Sequence, residues 1–170
     1  MIQRNARTLR RAALIAAALA VLAAPVIAQA SGPDPSGVIG HWLSGKKKVM
    51  VDIYPCEDEL CAKIVWLAKP YSKSGEFKRD RKNPDPALRD RGWCGIEVIR
   101  GLKAKTDNVW RNGRFYYPKK GQTFDIDIEK RAETELKIRA YLGLRLLGKS
   151  EIWTRPEPDQ TVGCVAAPNS

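Results

Sequence analysis

The chain has 170 residues, 44% of them hydrophobic and 29% charged, a globular balance that excludes a collagen, a coiled coil or an acidic disordered tail. Thirty basic against nineteen acidic side chains give +11, yet Arg4, Arg7, Arg10 and Arg11 precede residue 12 and no acid falls in the first thirty positions. Without residues 1–30 the remaining 140 residues carry 26 basic and 19 acidic groups, about +7, enough for one domain and too few for two independent cores.

Residues 1–30 read as a cleavable signal peptide. The four arginines form its charged start, an apolar run of 16 residues follows at 12–27, and Ala28-Gln29-Ala30 supplies the small residues of a cleavage site. That run includes Pro25 and is short of the roughly 20 residues that span a bilayer, so no transmembrane span is expected after cleavage. Arg10-Arg11 raises the twin-arginine route, but the residues after it fit that route poorly. The expected location is periplasmic or secreted.

A flexible segment at 31–37 leads into a domain at 38–156. The first strand lies near 38–44 and contains Gly40-His41-Trp42. In the second, Val49, Val51 and Ile53 alternate with Met50, Asp52 and Tyr54; in the third, Ala62, Ile64 and Trp66 alternate with Lys63, Val65 and Leu67. Residues 69–93 form a polar, charged connection far longer than a hairpin loop, with Asp85-Pro86 opening a short helix at about 86–91. Such a loop is either a lid over a binding site or a basic surface cover. Strands near 95–101 and 109–117 follow. Phe124, Ile126 and Ile128 then alternate with Asp125, Asp127 and Glu129, an apolar-in, charge-out strand. Leu136, Ile138, Ala140 and Leu142 alternate next, and a last extended run covers 146–155. Ser44-Gly45, Asn112-Gly113, Lys120-Gly121 and Gly143 mark turns.

Eight short strands joined mostly by tight turns predict an all-β fold, an eight-stranded antiparallel up-and-down barrel, with an open sandwich as the alternative. An even count of four cysteines in an exported chain predicts two disulfides. Of the three pairings, Cys56–Cys61 suits the end of a hairpin, and Cys94–Cys164 then ties the tail at 157–170 to the domain. The spacings are not those of a zinc site, and no metal or cofactor is expected.

In a closed barrel the first and last strands are neighbours, so Trp42 and Arg155 can meet as a structural clasp of guanidinium on indole. His41, next to an inward Trp42, is expected to face solvent, and no nucleophile with a base and orienting partner is recognisable, so no catalytic residue is assigned. Asp80, Asn83, Asp85 and Asp90 cluster in the long loop, where neighbouring cations should satisfy the acids as ion pairs. Lys46-Lys47-Lys48 and Lys119-Lys120 are basic turns suited to an anionic surface; nucleic acid is not an expected partner, because the basic residues are spread along an exported chain. Trp66, Trp110, Phe115 and Tyr117 are the aromatic candidates for lining a ligand cavity.

Residues 36–156 resemble the bacterial exported family catalogued as domain of unknown function 2147. The resemblance is carried by Gly40-His41-Trp42, by 56–66 from Cys56 to Trp66, and by Asp80 with Asn83-Pro84 and Leu88-Arg89-Asp90-Arg91. It continues through 110–118, Leu147-Gly148-Lys149-Ser150 and Trp153-Thr154-Arg155. Gly40-x-Trp42 with Arg155 is also similar to the start-and-end pairing of lipocalin-like barrels, which implies an eight-stranded calycin-type fold and leaves the activity open.

The leading functional expectation is a non-enzymatic barrel that binds a small hydrophobic or lipidic envelope molecule. The alternatives are a module that docks on another envelope protein, with a filled interior, and a hydrolase of envelope polymers using a carboxylate such as Asp80.

Overall fold

The computed structural model describes residues 35–158, 163 and 164; the signal peptide expected at 1–30 and most of the expected tail lie outside the described residues. Residues 35–37, expected to be flexible, form a turn closed by a hydrogen bond from Val38 N to Pro35 O, and Val38 is buried.

Eight strands form a closed antiparallel barrel in chain order: β1 Gly40–Leu43, β2 Val49–Cys56, β3 Glu59–Leu67, β4 Glu97–Thr106, β5 Val109–Tyr117, β6 Gln122–Ala132, β7 Glu135–Tyr141 and β8 Lys149–Thr154. Up-and-down connectivity puts the turns after β2, β4 and β6 at one end and the connections after β1, β3, β5 and β7 at the other. Period-two patterning sets which side chains point inward. Ile126 and Ile128 pair with Ala140 and Ile138 on the inner face, while Asp125 and Asp127 pair with Tyr141 and Arg139 on the outer one. Trp42, Ile53, Ile99, Leu102, Trp110 and Leu136 complete a dry core between the two ends.

Three expectations change in detail, the first being the extended run at 146–155, which starts later because Arg145–Leu147 form a 3-10 turn before β8. Asn112-Gly113 is not a turn but lies within β5, where the pairing with β6 shifts register between Trp110 and Gly113. Asn112 takes the left-handed conformation (φ 64°), which asparagine tolerates, and the missing Gly113 side chain makes room for its neighbours. A Cβ on Gly113 would lie 2.6 Å from Leu102 Cγ and 2.8 Å from Ile126 Cγ2. Gly113→Ala should therefore overpack the core and lower stability by about 1–3 kcal/mol, readable as a shift in the urea midpoint at unchanged m-value.

The helix expected at 86–91 is a single 3-10 turn, Pro86–Leu88, with the Asp85 side chain capping Ala87 N at 2.9 Å. It stops early because the chain has to return: Asp80 N donates to Arg91 O, and Trp93 N to Lys78 O. Both predicted disulfides are present. Cys56–Cys61 brackets the β2–β3 turn, and Cys94–Cys164 anchors the tail to the end of the long loop.

Candidate functional site

The barrel is hollow at the end where β1–β2, β3–β4, β5–β6 and β7–β8 connect. A cavity of about 590 Å³ opens there. Its walls come from inward residues of β2 to β8: Val49 and Val51, Ile64, Val98, Phe115 and Tyr117, Phe124, Ala140, and Trp153. The Phe115 ring sits 6.1 Å from Tyr117 and 6.4 Å from Phe124, an aromatic band around one side. From the long loop, Trp93 completes the wall, and its buried Nε1 has no acceptor among the described residues.

The mouth is cationic. Lys46, Lys48, Lys120 and Lys149 line it against one carboxylate, Glu151. Glu151 is inward because β8 alternates from Trp153, whose Nε1 donates to it. Lys78 lies over the Trp93 ring at 5.6 Å. Burial, and then Lys69, Lys119 and Lys48, push its amine below its ordinary value.

Of the four aromatic residues expected to line a cavity, the structure brings Phe115 and Tyr117 to it. Trp110 is fully buried deeper in the core, paired with Ile128, and Trp66 pairs with Met50 beyond a β-bulge, on the outer side of the wall. Trp93, Phe124, Trp153 and the two charged residues of β8 take the remaining places. Trp153 and Glu151 were findable from alternation along the last strand; Trp93 was not, since loop residues carry no periodicity.

The long loop is tied down rather than free. Asp80 is completely buried and accepts from Tyr116 Oη at 2.6 Å, Asn83 Nδ2 at 2.7 Å, and Arg91 Nε and a terminal guanidinium nitrogen at 3.1 and 2.9 Å. Its oxygens are all engaged, as a structural anchor requires and as a hydrolytic acid at a solvent-filled cleft would not be. At the surface, Asp90 pairs with Arg81 at 2.6 Å. Burial, and then the bond to Asp80, push the Tyr116 phenol up to about 12 from 10.0. The fold thus favours the neutral phenol, so this contribution is full below pH 10 and disappears as pH rises toward 12. Wild-type thermal stability should fall between those values, and less steeply in Tyr116→Phe; parallel slopes would refute the assignment. Tyr54 and Tyr141, also raised by burial first, leave a residual slope.

At the opposite end, Arg155 covers the Trp42 ring at 3.8 Å. His41 lies on the outer face, 3.8 Å from Asp52, with 39% of its side chain exposed.

A solved structure of protein HP1028 from the human pathogen Helicobacter pylori, described as belonging to the lipocalin family, is similar to this chain with a TM-score of 0.62 and 20% sequence identity. The match covers 71% of this chain and 83% of that one, and at such identity it shows the fold alone. No curated protein matches the sequence. The family model described as "Uncharacterized protein conserved in bacteria (DUF2147)" matches residues 40–155, the whole barrel with its Trp42 and Arg155, and the chain belongs to that family.

Proposed function

We propose that the protein is an exported, non-enzymatic carrier that holds a small amphipathic molecule in the open end of its barrel. The observation that carries this reading is the cavity of about 590 Å³, walled by aliphatic and aromatic side chains and rimmed by lysines. Its volume falls within the range of small-molecule sites, and its few polar groups are at the rim and on one strand, where they would orient a ligand's head. Trp93 Nε1 offers a further donor. A module that merely docks on another protein has no need of a hollow interior. Two formed disulfides support export to an oxidising compartment.

Residues 31–170 contain the eight strands and the two disulfides found among the described residues and form a compact unit, so they can be tested by themselves. Solvent extraction of the purified protein followed by mass spectrometry should identify a co-purified amphiphile. A dansyl-labelled undecanoic acid should bind saturably, one per chain. Ala140→Trp places an indole in the cavity opposite Ile126 and should weaken the probe at least tenfold, on the order of 1.4 kcal/mol or more, without loss of β-structure by circular dichroism. Absence of saturable binding, or binding indifferent to Ala140→Trp, would overturn the reading.

A further inference from the structure

The connection between β7 and β8 reverses the usual arrangement of a folded surface. Leu144, Leu146 and Leu147 are 68%, 87% and 76% exposed, and Leu142 is 53% exposed, all within six residues. The polar groups of the same segment turn toward the barrel instead. Arg145 pairs with the buried Asp127 on the outer wall, and Arg139 donates to the carbonyl oxygens of Arg145 and Leu146, both at 2.9 Å. These bonds hold the 3-10 turn Arg145–Leu147 against the wall with its leucines outward. A single exposed leucine needs no explanation, but a braced cluster of four does.

The cluster stands at the cationic mouth: Leu142 and Leu147 line the same opening as Lys46, Lys48 and Lys120. Apolar tips beside a ring of lysines are the two components that bind a protein to the interface of an anionic bilayer, the leucines entering the acyl boundary and the amines meeting phosphates. A second copy is disfavoured, since mouth-to-mouth pairing would bring two lysine rims together. We propose that the protein docks on anionic phospholipid membranes by this end, with the β7–β8 leucines inserted. The proposal does not depend on the cavity having a ligand, though it would place the cavity opening at the lipid surface.

The test is co-sedimentation of residues 31–170 with vesicles of 70% phosphatidylcholine and 30% phosphatidylglycerol, and with phosphatidylcholine alone. The wild type should partition to the mixed vesicles at least tenfold better than to the neutral ones. Leu144→Asp/Leu146→Asp, and Leu146→Asp alone, should reduce that partition at least tenfold while keeping the wild-type melting temperature, as replacements of exposed side chains. Lys46→Glu/Lys120→Glu should weaken it by about fivefold or more per lysine at low salt, with a smaller effect at high salt. Ala140→Trp, which blocks the cavity, should sediment like the wild type, so failure of ligand binding and failure of docking are separable. The proposal is overturned if the wild type ignores anionic vesicles, if the leucine variants bind undiminished, or if the leucines instead support a dimer in solution with no vesicle binding.

Discussion

Asp80→Ala is expected to destabilise the protein by about 3 kcal/mol, the lower end of the range for breaking a buried ion pair. The lower end applies because Arg91 keeps 35% of its side chain exposed and can recover water, whereas the carboxylate it serves is at 0%. Tyr116 and Asn83 lose their acceptor at the same time. Urea unfolding measures the total, and amide exchange localises it: protection should fall first across 79–93, where Arg79 and Gly92 form an isolated bridge and Asp80 N and Asn83 N are held by loop carbonyls. Asp80→Ala/Arg91→Leu should recover part of the loss, because it removes the stranded charge with the partner. A cost under about 1 kcal/mol, or no change in exchange across the loop, would show that the loop is held elsewhere. The consequence for function runs through Trp93. Freed from its anchor, the loop would no longer fix that indole against the cavity, so on the proposed carrier reading affinity for the dansyl-labelled probe should fall along with stability.

The barrel was legible because its walls are written in period two. Where a strand has one wet and one dry face, alternation fixes both the strand and its register, as in the Ile126-Asp127-Ile128 segment. The same rule misled on solvation. Asp127 does face outward, yet it is only 4% exposed, because Arg145, 18 residues away, folds over it with the β7–β8 turn. No strand pattern encodes that cover. Trp66 shows a related limit: alternation from Ile64 puts it inside, but the register shift between Met50 and Val51 turns it out. A bulge inserts one residue and inverts everything beyond it on that strand, and its sequence signature is faint. Hollow or filled was likewise beyond reach, since it depends on how far Ala140, Val49 and Val51 leave the centre empty at one end while Trp110, Leu102 and Ile126 fill it at the other.

Trp42→Ala should lower stability by about 3–5 kcal/mol, comparable to or larger than the Asp80 effect. The reason lies in the seam of the barrel. β1 and β8 share a single residue pair, Leu43 with Thr154, whereas every other neighbouring pair is joined by a longer ladder. Closure is therefore left to side chains. Trp42 is fully buried and its Nε1 donates to Val38 O at 2.7 Å, holding the entering turn across the floor. Arg155 lies on the indole and donates to Ile39 O, His41 O and Gly37 O at 3.0–3.2 Å, joining the last residues of the barrel to the first. Burial lowers the guanidinium's pKa from its ordinary value, and the carbonyl oxygens stand where a carboxylate partner often would. Only a planar fork reaches three such acceptors while stacking on a ring, so Arg155→Lys is not conservative and should lose most of what Arg155→Ala loses. In a double-mutant cycle, Trp42→Phe with Arg155→Lys should show a coupling of about 0.5–2 kcal/mol. Additive effects would mean that the ring and the guanidinium stabilise the floor independently. Loss of the seam should also raise amide exchange in β1 and β8 ahead of β4 and β5, whose pairing does not depend on it.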